Sequence, residues 1–152
     1  MILDTAGQPA DQRELMMLQQ YLNEYGQQAE VFMGQLQMLE NGRMEAHAAI
    51  EALDAMRTAE GEMVLLPIGG GVNVRAKVID PDKILLAIGA EVVVERSNSE
   101  AVEFLKERIM EMEASAKKVA ETLERVRAQM NEINRRLEAV YRQSGAVQPA
   151  EE

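Results

Sequence analysis

Three features of this chain have residue types that could do chemistry: a triple glycine, a lone histidine and an excess of methionine. Gly69-Gly70-Gly71 has the flexibility of a phosphate loop. It lacks the Lys-Ser/Thr that grips phosphates, and no helix starts behind it, so a bend between strands is expected. His47 is the only histidine, and helical spacing puts it on a solvated flank. The 26 Asp and Glu residues mostly recur at salt-bridging intervals such as Glu121–Arg125, as on solvated helix faces. With no Cys there is no disulfide, thiolate zinc site or cysteine nucleophile, and a reducing compartment is expected. No nucleophile–base pair or nucleotide motif appears. The expectation is a protein that is not an enzyme and uses no cofactor and no metal.

Methionine is the anomaly, at 11 of 152 residues. Met112 and Met130 fall on an apolar seam, but Met16 and Met17 fall outside it, beside Leu15 and Leu18. Met has a flexible, polarizable side chain that adapts to many partners. A sticky surface is one reading; a contact with another subunit is the other.

The elements that must position these residues follow from the four prolines, Pro9, Pro67, Pro81 and Pro149. Two proline-free stretches, 10–66 and 82–148, flank a middle rich in Val, Ile and Gly. Apolar residues of the first stretch keep a heptad: Leu15, Leu22, Ala29, Leu36, Arg43, Ile50 and Arg57 at a, and Leu18, Tyr25, Phe32, Leu39, Ala46 and Leu53 at d. The last stretch has Val102, Ile109, Ala116, Leu123, Met130 and Leu137 at a, with Leu105, Met112, Val119, Val126, Ile133 and Val140 at d. A register this long predicts a coiled coil. Asp11 with Glu14, and Ser97 with Glu100, have capping-box spacing. Gly61 suits the left-handed residue after the first helix. Gly26, Gly34 and Gly42 lie off the seam, and Asn41-Gly42 could break the helix, although the register continues across it.

In the middle, Val72, Val74, Ala76 and Val78 alternate with Asn73, Arg75 and Lys77, predicting a half-buried strand. Asp80-Pro81-Asp82 is expected to turn the chain so that Ile84–Ile88 returns as the partner strand. Val64–Ile68 and Glu91–Glu95 lie outside this pair, joined through the glycines. Two hairpins are expected, and they need other strands to pair with.

If the middle reverses the chain, the helices run antiparallel. Leu18 then meets Val140, Tyr25 meets Ile133, Ala29 meets Met130, Phe32 meets Val126, Leu36 meets Leu123, and Leu53 meets Leu105. Arg43 meets Ala116, with room for its stem to lie flat, and Arg57 meets Val102. The fold class expected is mainly α: a long antiparallel two-helix coiled coil with two central β-hairpins. The expected division is a helix with a short leader over 1–61, a double hairpin over 62–96, and a second helix with a tail over 97–152. Neither a signal peptide nor an apolar run long enough for a membrane span is evident, so a cytoplasmic protein without membrane contact is expected.

This layout resembles the α-class subunits of prefoldin, also called GimC. The most specific stretch runs Leu66-Pro67-Ile68-Gly69 through Arg75-Ala76-Lys77-Val78, then Asp82-Lys83-Ile84, Ile88-Gly89-Ala90 and Val94-Glu95-Arg96-Ser97. It departs from the family at Ala90-Glu91, where a second glycine is usual, and at the extra Gly71. The resemblance implies an ATP-independent molecular chaperone, a holdase whose coiled-coil tips hold unfolded client proteins and pass them to a group II chaperonin. It implies partners: a second α subunit and four β-type subunits, in a heterohexamer whose hairpins form a β-barrel body. The expected client-binding tip is Ile2, Leu3, Leu15, Met16, Met17, Leu18, Val140, Tyr141 and Val147. The expected oligomer interface is Val64, Leu66, Ile68, Val72, Val74, Val78, Ile84, Leu86, Ile88, Val92 and Val94.

Two other function classes use similar heptads. A structural coiled-coil adaptor would bind no clients. An RNA-binding arm would need a basic stripe, whereas residues 1–61 have 10 acidic and 3 basic residues and the whole chain a net charge of −10. No nucleic acid is therefore expected.

Overall fold

The computed structural model describes residues 10–144. In chain order they form α1 (Ala10–Met56), β1 (Met63–Gly69), β2 (Val72–Lys77), β3 (Ile84–Gly89), β4 (Val92–Arg96) and α2 (Asn98–Ser144). α1 runs unbroken through Asn41-Gly42. Asp11 lies inside its first turn rather than capping it; there the carboxylate opposes the positive end of the helix dipole.

The chain divides into two compact units. In the first, residues 10–37 of α1 pack on residues 116–144 of α2. Its core is Ala29, Leu123 and Val126, enclosed by Tyr25, Phe32, Leu36 and Met130. These are the layers that an antiparallel pairing of the heptads requires. Small Ala29 against large neighbours lets the two backbones approach while the layer stays filled.

In the second unit, residues 38–115, the buried cluster is Leu53, Ala101 and Val102, with Ile50, Met56, Ile84 and Leu105 against it. Gly42 faces the partner helix: a Cβ there would stand 2.9 Å from Met112 Sδ. Its position off the seam concealed this role. α1 stops at Met56, and Gly61, with φ +78°, comes five residues later rather than next to the helix end. Its N–H donates to the Val78 carbonyl at 2.7 Å, and the Val78 N–H donates to the Glu62 carbonyl at 3.1 Å.

Arg57 leaves the seam where the heptad puts it. Its Nε donates to Asn98 Oδ1 at 2.9 Å. Asn98 is 3 % exposed, and its Nδ2 donates to the Leu53 and Pro81 carbonyls at 2.9 and 3.2 Å. Its N–H donates to Asp82 Oδ1 at 3.0 Å. One buried side chain thus ties the end of α1 to the turn before β3 and the start of α2. Ser97 caps α2 as its spacing predicts, accepting from the Glu100 N–H at 3.2 Å.

The strands pair differently from the expectation. β1 pairs with β2 and β3 with β4, each antiparallel, giving two separate two-stranded sheets. β2 does not pair with β3. Asp80-Pro81-Asp82 does turn the chain, with the Asp82 N–H donating to Asp80 Oδ1 at 3.0 Å, but it links two hairpins instead of closing one. The true hairpin turns are at the glycines, where left-handed φ values match the twist of paired strands. Gly69, Gly70 and Gly71 have φ of +109°, +59° and +78°. Gly89, Ala90 and Glu91 repeat this with +109°, +49° and +61°.

Both pairings also skip one residue at the same place, Ile68 and Ile88. Leu65-Leu66-Pro67-Ile68-Gly69 and Leu85-Leu86-Ala87-Ile88-Gly89 are therefore copies of one hairpin twenty residues apart, with Val72 and Val74 answering to Val92 and Val94.

Candidate functional site

Among the described residues no group of acidic, His or Cys side chains could hold a metal, and no helix is long and apolar enough to cross a membrane. The candidates are two exposed apolar surfaces, one in each unit.

The first lies where α1 begins and α2 ends. The heptad decides what points outward there. Leu15 and Leu18 are half-buried on the seam, while Met16 and Met17 remain 61 % and 54 % exposed. Val140, expected to be part of the tip surface, is 0 % exposed: its d position turns it wholly into the seam. Tyr141 is half-buried, and its hydroxyl accepts a hydrogen bond from Gln19 Nε2 at 3.4 Å. Arg136 bridges to Glu14 across the two helices, and that hydrogen bond raises its pKa above the usual arginine value. Ile2, Leu3 and Val147 lie outside the described residues.

The apolar exposure continues down α1 beyond the expected tip. Tyr21, Val31 and Met33 are also exposed, and Glu24 and Glu30 are the only charged residues between Leu15 and Leu39. A shallow groove beside Ala10, Arg13 and Glu14 is lined by Met17, Leu18 and Tyr21. The negative charge of the first sixty residues is thus sparse on this part of the helix. Heptad reading finds the seam but passes over Val31 and Tyr21, which lie at outward c and g positions.

The second surface is the hairpins. Of the expected interface residues, Val64, Leu66, Ile68, Val72, Val74, Ile88 and Val92 are exposed. Val78, Ile84, Leu86 and Val94 are half-buried. Ile84 is already committed within the chain, packed on the cluster of Leu53, Ala101 and Val102. Several more exposed side chains were not anticipated: Leu65, Ile79, Leu85 and Val93, of which Ile79 is the extreme at 85 %. Alternation along a strand identifies two faces but does not say which one the helices cover, so Leu65 and Leu85 were legible only as members of a face. Sheet faces this apolar, on isolated two-stranded ribbons, need further protein against them.

Residues 25–143 match the family Prefoldin, described as prefoldin subunit. The chain belongs to the prefoldin family. It is 61 % identical over 139 residues to a prefoldin subunit alpha of Methanoregula boonei, covering 91 % of both chains. A prefoldin subunit alpha of Methanospirillum hungatei is 48 % identical over 140 residues, covering 92 % of this chain and 94 % of that one. Among solved structures, a chain of filamentous PFD from Methanocaldococcus jannaschii has the same fold with a TM-score of 0.67. It is 20 % identical, covering 75 % of this chain and 95 % of that one. Two long helices joined through two small hairpins are the prefoldin fold, and the role this membership supports is that of a chaperone subunit within an oligomeric prefoldin.

Proposed function

We propose that this chain is the α subunit of an ATP-independent holdase that grips unfolded proteins through the outward face of α1. The carrying observation is the exposure of Met16 and Met17 beside seam residues that are themselves half-buried or buried. Burying what remains exposed of each such side chain against a client yields about 1–1.5 kcal/mol, without the directional demands of a hydrogen bond. Thioethers suit clients of unrelated sequence. The exposed hairpins join two copies of the chain to four β-type subunits, and a group II chaperonin in the cytoplasm receives the client.

The test uses the chain assembled with a β-type subunit and a chemically denatured client diluted without ATP. The wild-type complex suppresses aggregation, and Met16→Ser with Met17→Ser weakens that suppression while the complex keeps its mass. Unchanged suppression would favour the coiled-coil adaptor instead.

A further inference from the structure

Beside its seam, α1 has a second stripe. Met17, Tyr21, Glu24, Gln28, Val31 and Gln35 follow one another at steps of four and three residues, the spacing of a heptad seam. All are exposed. Two shallow grooves run along it in series, the first lined by Met17, Leu18 and Tyr21, the next by Glu24, Gln28, Val31 and Phe32. At the same heptad positions α2 has Lys118, Thr122, Arg125, Gln129, Glu132 and Arg136, all polar. The second stripe therefore belongs to α1 alone, and from Met17 to Val31 it is about 21 Å long. Glu24 stands in its middle. Gln20 donates to that carboxylate at 3.3 Å, and Glu24 makes no ion pair among the described residues. Asp11, Glu14 and Glu30 add to the negative charge of this part of α1, against Arg13 as its one base.

We infer that this stripe takes client segments as amphipathic helices bearing Lys or Arg, laid along α1 like a third strand of the coiled coil. This rests on the proposed client binding by α1 and names the kind of segment it holds. The backbone decides against an extended chain. Inside α1 the N–H and C=O groups are used by the helix itself, so an extended segment on the stripe would find no partner for its own amides. A helix arrives with its amides already paired. Its apolar residues, three and four apart, fall on one face and lie beside Met17, Tyr21 and Val31. A cation on that helix then meets Glu24. A second copy of α1 is the worse occupant, because it brings the same excess of carboxylates to the contact.

The test measures binding of fluorescent peptides to the chain assembled with a β-type subunit, by anisotropy and without ATP. The first peptide is a helix of about five turns with Leu at three- and four-residue steps and Lys elsewhere. The second has the same composition with alternate lysines as D-enantiomers, which break the helix. The third has Glu for every Lys. The first is expected to bind about ten-fold tighter than the second and about three-fold tighter than the third. Tyr21→Ser with Val31→Ser weakens the first about ten-fold. Glu24→Lys reverses the preference for the first peptide over the third. Circular dichroism identical to the wild type keeps misfolding out of the comparison. Equal binding of the first two peptides, or an unchanged affinity in the Tyr21 and Val31 variant, overturns helical docking on the stripe. A Lys preference that survives Glu24→Lys overturns the role of Glu24. In each case, continued suppression of client aggregation leaves the holdase reading standing. A complex that binds no peptide and suppresses no aggregation overturns the holdase reading and this inference with it.

Discussion

Asn98 donates its side-chain amide to the Leu53 carbonyl across 2.9 Å, joining the first turn of α2 to the last turn of α1. The same amide reaches Pro81, and its oxygen accepts from Arg57. Asn98→Ala strands two carbonyls that the wild type satisfies, one of them in a buried setting. The expected loss is about 2–3 kcal/mol. Asn98→Asp should fare no better, since it puts an acceptor against both carbonyls. Urea unfolding monitored by circular dichroism checks this; a loss below about 0.5 kcal/mol would show that Asn98 holds nothing together.

Two glycines of α1 should respond differently to alanine. A Cβ on Gly34 meets nothing within 4 Å, so Gly34→Ala is expected to stabilise by about 0.5–1 kcal/mol. A Cβ on Gly42 presses on Met112, so Gly42→Ala gains less, and combining it with Met112→Ala should remove the conflict at the cost of seam packing. Equal gains at both positions would contradict the close approach of Met112.

The second hairpin holds Ala90 and Glu91 in left-handed conformations that the first assigns to glycine. Each costs about 1 kcal/mol in a non-glycine residue. Replacing the pair by Asn-Gly, the preferred residues of such a turn, is expected to raise the melting temperature. A fall in melting temperature would mean that these side chains make contacts outweighing their backbone strain.

Strand substitutions should separate folding from assembly. Ile84→Asp puts a charge against Leu53 and Val102, and is expected to destabilise the chain itself by more than about 2 kcal/mol. Leu85→Asp, on the exposed face, should leave the stability of the isolated chain within about 0.5 kcal/mol and reduce the mass of the assembled complex. Native mass spectrometry beside thermal unfolding resolves the two effects.

Glu40 accepts two hydrogen bonds from Arg43, at 2.7 and 3.0 Å, and these hold its carboxyl below the usual glutamate value. The pair's contribution is therefore present at neutral pH and lost as the pH falls through the lowered value. Being exposed, it is small. Arg43→Gln should return the Glu40 titration, followed by carbon NMR, to the ordinary range and abolish the stability difference in acid. An unmoved titration would show that the bond does not persist in solution.

Sequence alone determined the two helices and most of their seam, because the heptad is a local repeat that any helical backbone converts into one face. That Tyr25, Phe32 and Leu36 gather with Leu123, Val126 and Met130 around Ala29 needed only the assumption of reversal. It likewise determined that the middle forms strands, since alternation is a property of consecutive residues. Which strands pair was decided by the three-dimensional turns: left-handed φ at Gly69 and Gly89 folds each hairpin on itself, leaving Asp80-Pro81-Asp82 as a link. Tertiary packing also decided that Val140 is covered while Met17 and Val31 stay exposed, because exposure depends on the neighbouring helix as well as on hydrophobicity. Asn98 belongs wholly to that second class. Its partners are 16 or more residues away, and no spacing rule brings Leu53, Arg57, Pro81 and Asp82 to one amide.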